Sequence, residues 1–105
     1  MTIELCKTEQ KSGESEFIPI CTTKVFLTLI LPVAKELKLE MIECLPALTI
    51  KIEFKEKFLS ELTRYRAWVD SNVWTDNRKS FLESLENLEK IVSSTSLEDF
   101  DLSTG

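Results

Sequence analysis

Histidine is absent from this 105-residue chain. That absence excludes a Ser-His-Asp triad, a Cys-His pair, a zinc site with imidazole ligands and a histidine pH switch. Glycine is almost as scarce. Gly13 and Gly105 are the only two, so no phosphate-cradling loop of the Walker or dinucleotide-binding type can form, because such loops need glycine for positive φ and close backbone approach. Cysteine is present three times, at Cys6, Cys21 and Cys44. The odd count, the wide spacing and the lack of a C-x-x-C pair exclude a zinc knuckle and a thioredoxin-type motif. They fit a reducing cytoplasm, with the thiols acting as small apolar groups. Long apolar runs are also missing. The longest, Val25 to Ala34, is too short to cross a bilayer as a helix, which needs about 20 residues. The first residues show no basic-then-apolar signal pattern.

Apolar residues are plentiful, at 43%, and a chain of this length buries roughly two thirds of its unfolded surface on folding. A packed core without metal or disulfide support follows. The expected organisation is one domain over residues 1–94 and an acidic, flexible tail over 95–105.

Charge is distributed unevenly. Residues 1–79 carry 12 acidic and 12 basic side chains, whereas residues 80–105 carry six acidic (Glu83, Glu86, Glu89, Glu98, Asp99, Asp101) and one basic, Lys90. The net charge of -5 therefore belongs to the last quarter of the chain. Such a region repels a phosphate backbone, and no basic stripe offsets it, so direct nucleic-acid binding is not expected. It suits a basic protein partner, although a solvated helix face accounts for the same pattern.

Hydrophobic periodicity gives the elements. Residues 2–7 alternate as a short strand, 8–16 form a polar loop, and Phe17-Ile18-Pro19-Ile20 reads as an edge strand, since proline cannot donate to a ladder. Thr22 or Thr23 can cap a helix reaching about Leu39, with Phe26, Ile30, Val33 and Leu37 on one stripe and a kink at Pro32. The rival reading makes Lys24–Leu31 a strand and begins a helix at Pro32, but it shows little alternation and no turn. Leu39–Leu45 and Leu48–Phe54 read as two strands joined at Pro46-Ala47, the second with Ile50, Ile52 and Phe54 facing inward. The period then becomes helical. Phe58, Leu62, Tyr65 and Val69 mark a helix over about Lys55–Ser71, and Phe81, Leu85, Leu88 and Val92 mark another over about Asp76–Ser93, with Asp76 as its N-cap. Between them Asn72–Asn77 is a polar linker that holds Trp74. In the tail, Leu97, Phe100 and Leu102 are the residues that could dock. The expected fold is α+β: a small antiparallel sheet, an early helix, and a C-terminal antiparallel helix pair packed on the sheet.

Chemistry-bearing residues are few. Glu83, Glu86 and Glu89 drift about 60° round a helix at each step, so they form a band and not a metal cage. Cys21 would sit near a helix start, where a dipole can lower a thiol pKa, yet no base accompanies it and its apolar neighbours favour a buried, inert thiol. Arg64 and Arg66 are expected to pair with Glu61 and Asp70 on the surface. No catalytic residue, cofactor site or metal site is identified. These readings together point to a small acidic, non-catalytic protein-binding module. Inhibitors of the immunity-protein or antitoxin kind, which mask basic partners, are the physical analogy. Glu83, Glu86 and Glu89 with Trp74 form the expected contact surface. The alternatives are a structural subunit or homo-oligomer, in which the apolar surfaces of the helix pair extend to a second copy, and, third, a thiol enzyme using Cys21.

Overall fold

The computed structural model describes residues 2–72 and 78–105. Four strands form one sheet in the order β2-β1-β4-β3, with every neighbouring pair antiparallel. β1 (Thr2–Glu9) and β2 (Ser15–Thr22) make a hairpin whose turn holds Gly13 at φ 73, a left-handed conformation that glycine adopts freely. β2 is an edge strand, and Pro19 lies beside a bulge between Ile3 and Glu4, which is where a strand proline is tolerated.

The early helix is present in three continuous pieces: α1 (Thr23–Val25), a π-helical turn (Phe26–Ile30) and α2 (Leu31–Leu37). Thr22 caps it, its hydroxyl accepting from the Val25 N–H at 3.1 Å. Pro32 is absorbed by the π turn, in which the Leu31 N–H reaches back to the Phe26 carbonyl. The wider turn relieves the clash that a proline ring makes with the carbonyl four residues before it. The helix ends at Lys38, which is left-handed at φ 58, while the Leu39 N–H returns to the Ala34 carbonyl at 2.8 Å. Ala34 and Leu39 are both fully buried there, the apolar contact that accompanies this type of helix end.

Residues 39–54 depart from the alternating pattern. In place of a strand over Leu39–Leu45 the chain forms α3 (Glu40–Glu43) and a 3-10 turn (Leu45–Ala47). The cause lies elsewhere in the sequence. Glu61, only 5% exposed, directs Oε1 at the N–H groups of Met41 (2.9 Å) and Ile42 (3.3 Å), so a buried carboxylate supplies the acceptors that the start of α3 lacks. Glu61 Oε2 is buried without a hydrogen-bond partner among the described residues. The second expected strand shrinks to β3 (Thr49–Ile50), after which a 3-10 turn (Ile52–Phe54) leads into α4 (Lys55–Asn72). Ile50 is buried, but Ile52 and Phe54 are 59% and 45% exposed.

α4 and α5 (Arg78–Ser94) bear the expected stripes. Phe58, Leu62, Tyr65 and Val69 are buried on one, Leu85, Leu88 and Val92 on the other, and Phe81 packs at the margin. Contacts between Thr63 and Glu89 and between Arg66 and Glu86 fix the pair as antiparallel. The segment over residues 95–105, read as a tail, contains a strand. β4 (Phe100–Thr104) lies between β1 and β3, with Leu102 and Thr104 buried. The Thr104 hydroxyl donates to the Leu45 carbonyl and accepts from the Leu48 N–H (3.0 Å), tying β4 to the 3-10 turn. Among the described residues no helix is long and apolar enough to cross a membrane.

Replacing Glu61 with alanine strands two buried N–H groups and opens a cavity. Urea unfolding of Glu61→Ala is expected to show a loss of about 2–4 kcal/mol, with a smaller loss for Glu61→Gln. A loss below about 1 kcal/mol for the alanine variant contradicts this role for the carboxylate.

Candidate interaction surfaces

The three glutamates of α5 are not equivalent. Arg66, projecting from α4, lies 3.4 Å from Glu86 Oε1 through Nη1 and 3.4 Å from Glu89 Oε2 through Nη2. Glu89 also accepts from the Thr63 hydroxyl at 3.2 Å. Two of the three are therefore turned toward α4, compensated by one guanidinium, in a cleft of 280 Å³ that Leu59, Lys90 and Ser93 help to line. Glu83 is exposed. The expected surface pairing of Arg64 and Arg66 with Glu61 is replaced. Arg64 donates to the Leu37 carbonyl (3.2 Å), Arg66 holds the α5 glutamates, and Glu61 is in the interior. The spacing on α4 accounts for this, because the stripe that buries Leu62 and Tyr65 carries Glu61 inward with it. Trp74 and Asp76 lie outside the described residues.

A second acidic grouping was not legible from chain order. The turn after α5 is closed by the Asp99 and Phe100 N–H groups, both donating to the Ser96 carbonyl (3.2 and 3.0 Å). It carries the last acidic residues to the tip of the β1–β2 hairpin. There the Gln10 N–H donates to the Asp99 carbonyl (2.9 Å) and the Gln10 side-chain amide to Asp101 Oδ1 (3.2 Å). Glu9, Glu98 and Asp99 line a cleft of 370 Å³ with Gln10, Phe100 and a single cation, Lys11. Lys7 instead sits over the Phe100 ring, 4.6 Å from its centroid, a cation–π contact. The signal in the sequence was the alternation of Phe100, Leu102 and Thr104, which marks a strand within an otherwise tail-like composition. Among the described residues no group of three or more His, Cys, Asp or Glu is arranged to hold a metal ion.

Cys21 lies at the end of β2, half-buried, beside an apolar cavity of 220 Å³ lined by Ile20, Val25, Ser80, Phe81 and Ser84. Burial pushes its thiol up to about 11, the opposite of what a nucleophilic cysteine needs. Tyr65 is also raised, by burial first and by the neighbouring Cys21 second, while its hydroxyl donates to the Leu29 carbonyl at 3.1 Å.

Two measurements test this description of Cys21. Thiol labelling at neutral pH should proceed more slowly at Cys21 than at a free thiol, and faster at the exposed Cys44. Stability should also respond to alkali. A thiol raised from 9.0 to about 11 in the folded state binds its proton more tightly there than in the unfolded chain. Its contribution is complete below pH 9 and is lost as pH rises toward 11. The thermal midpoint is expected to fall over that window, and to fall less in Cys21→Ala. An identical alkaline profile in the variant would rule the thiol out as a source.

Comparison with protein-family models, with curated proteins and with solved structures gives no match for this chain.

Proposed function

We propose that the chain is a small, non-catalytic protein-binding module that engages a basic protein partner through its acidic surfaces. The observation that carries the reading is the convergence of Glu9 with Glu98, Asp99 and Asp101 at one end of the sheet. Glu9 is some ninety residues from the other three in sequence, and Lys11 is the one cation lining their cleft. Complementary potential of this kind raises association rates and selects partners by charge. Glu83 adds an exposed acidic group on α5. Glu86 and Glu89 contribute less to this reading than chain order implies, since Arg66 compensates them. A raised thiol pKa at Cys21 and the absence of histidine favour binding over catalysis. The reading assigns the module to a reducing, cytoplasmic compartment, where Cys6, Cys21 and Cys44 stay as free thiols. Masking a basic surface is the form of action that fits it, as a neutralising inhibitor does.

Affinity capture on immobilised protein, followed by mass spectrometry, identifies the partner, and titration then measures the surface. With the purified partner, the triple variant Glu98→Lys/Asp99→Lys/Glu9→Lys is expected to bind at least about tenfold more weakly, mainly through a lower association rate, and to lose most of the salt dependence. Glu83→Lys is expected to have a smaller effect, and Arg66→Ala, which frees Glu86 and Glu89, to leave affinity the same or raise it. Unchanged affinity in the triple variant, with its fold intact by circular dichroism, would sink the proposal.

A further inference from the structure

The two edges of the sheet are unlike. At one, only Thr49 and Ile50 are in strand conformation before the chain turns away. At the other, β2 presents eight residues with no strand on its outer side among the described residues. The ladder bonds of β1 determine which backbone groups of β2 face outward. Glu4 exchanges both of its backbone bonds with Gly105 (3.0 and 3.1 Å), and the Gln10 N–H reaches Asp99. The even-numbered residues of β1 therefore bond to β4, and the odd-numbered ones, such as Glu9 with Glu14 (2.9 Å), bond to β2. The β2 residues opposite Cys6 and Thr8 are Phe17 and Ser15, and opposite Glu4 is Pro19. By the same alternation these three direct their backbone groups away from the sheet. Ser15 and Phe17 offer an N–H and a C=O each, and Pro19 offers a C=O alone. Phe17 is also 61% exposed, the most exposed large apolar side chain among the described residues.

We propose that this edge pairs antiparallel with the same edge of a second copy of the chain, about a twofold axis through Phe17, joining two four-stranded sheets into one. A second copy is the occupant that fits because the pattern is self-complementary in one register. With Phe17 opposite its own counterpart, the two Phe17 residues exchange two backbone bonds. Each Ser15 N–H meets the other copy's Pro19 carbonyl, and Glu16 stands opposite Ile18. No acidic residue then faces another, and the two Phe17 rings form a cross-strand aromatic pair on the face away from the helices. Moving the axis to Glu16 sets that carboxylate directly against itself, and moving it to Ile18 pairs Phe17 with Pro19, so that both Phe17 carbonyls lose their donor; with the axis at Phe17 the missing Pro19 donor falls opposite the outlying Ser15 carbonyl and the central exchange is complete. The cavity rim of Ile20, Val25 and Phe81 supplies apolar surface on the helix side of the same edge. Association also closes at two copies. The β3 edge is too short to accept another strand, so the pairing is isologous and does not propagate. The apolar stripes of α4 and α5 are buried within the chain, so the sheet edge replaces them as the route to a dimer.

Sedimentation velocity from low micromolar to millimolar protein tests the proposal, together with amide hydrogen exchange on the same samples. The expected result is a concentration-dependent monomer–dimer equilibrium in which the Ser15 and Phe17 amides gain protection as the dimer fills. Phe17→Lys should weaken association by about tenfold or more, with an unchanged thermal midpoint at concentrations where the native chain is monomeric, because the residue is exposed, and Phe17→Tyr should associate like the native chain. A monomer at every concentration overturns the proposal. So does a dimer whose Ser15 and Phe17 amides exchange as fast as in the monomer, or one that Phe17→Lys leaves intact. A chain that stays monomeric while capturing another protein's strand at β2 also overturns self-pairing.

Discussion

The sheet is covered on one face only, and that constraint decides which residue can stand where in every other element. Each strand can send inward only its alternate residues: Ile3 and Leu5 from β1, Leu102 and Thr104 from β4, Ile50 from β3. Cys6, Thr8, Asp101 and Ser103 fall on the opposite face and are polar or small. So narrow an inward set cannot make a core alone, and the helices supply the rest through Phe26, Ile30, Phe58, Leu62, Tyr65, Val69, Leu85, Leu88 and Val92. Each such side chain contributes roughly 1.5–3 kcal/mol on burial. Tyr65 can occupy the centre of this layer because its hydroxyl reaches a backbone carbonyl at the edge of the early helix.

The parts of the fold that were legible from sequence are those governed by local period. The stripes of α4 and α5 repeat regularly enough to be read directly. Thr22 announces the early helix as its cap, and Pro19 announces an edge strand. The parts that were not legible depend on partners distant in sequence. Nothing within Leu39–Leu45 reveals that Glu61, some twenty residues on, will cap a helical turn there. Alternation through Ile50, Ile52 and Phe54 suggests a longer strand than forms: pairing with β4 stops at Ile50 and Leu102, and a 3-10 turn over Ile52–Phe54 follows. The converse error concerns Phe100, Leu102 and Thr104. Their alternation is a strand signal, but Glu98, Asp99 and Asp101 give the segment the composition of a solvated tail.

The same distinction applies to the acidic surface. Counting charges along the chain correctly locates the excess in the last quarter, yet it cannot tell compensated from uncompensated groups. Folding returns Arg66 to Glu86 and Glu89 and brings Glu9 to Glu98 and Asp99. Much of the acidity of the middle of α5 is thereby compensated, while the end of the sheet gathers acidic groups from both ends of the sequence. At Cys21, partial burial raises the thiol to about 11, where a helix start read from chain order alone suggests a lowered one.

The position of β4 also sets an order of events during synthesis. It is the last strand in sequence, yet it separates β1 from β3, and the pair Leu5–Thr104 spans nearly the whole chain. Until residue 104 has left the ribosome, the β1–β2 hairpin is the only part of the sheet that can exist, and β3 has nothing to pair with. At roughly 5–20 residues per second, translating residues 23–104 takes roughly 4–16 s. Throughout that interval the inner edge of β1, through Glu4, Cys6 and Thr8, is as open as the outer edge of β2. A nascent hairpin with two free edges is a template for neighbouring chains on the same message. The yield of folded protein should therefore fall as translation becomes denser, whatever the stability of the finished molecule.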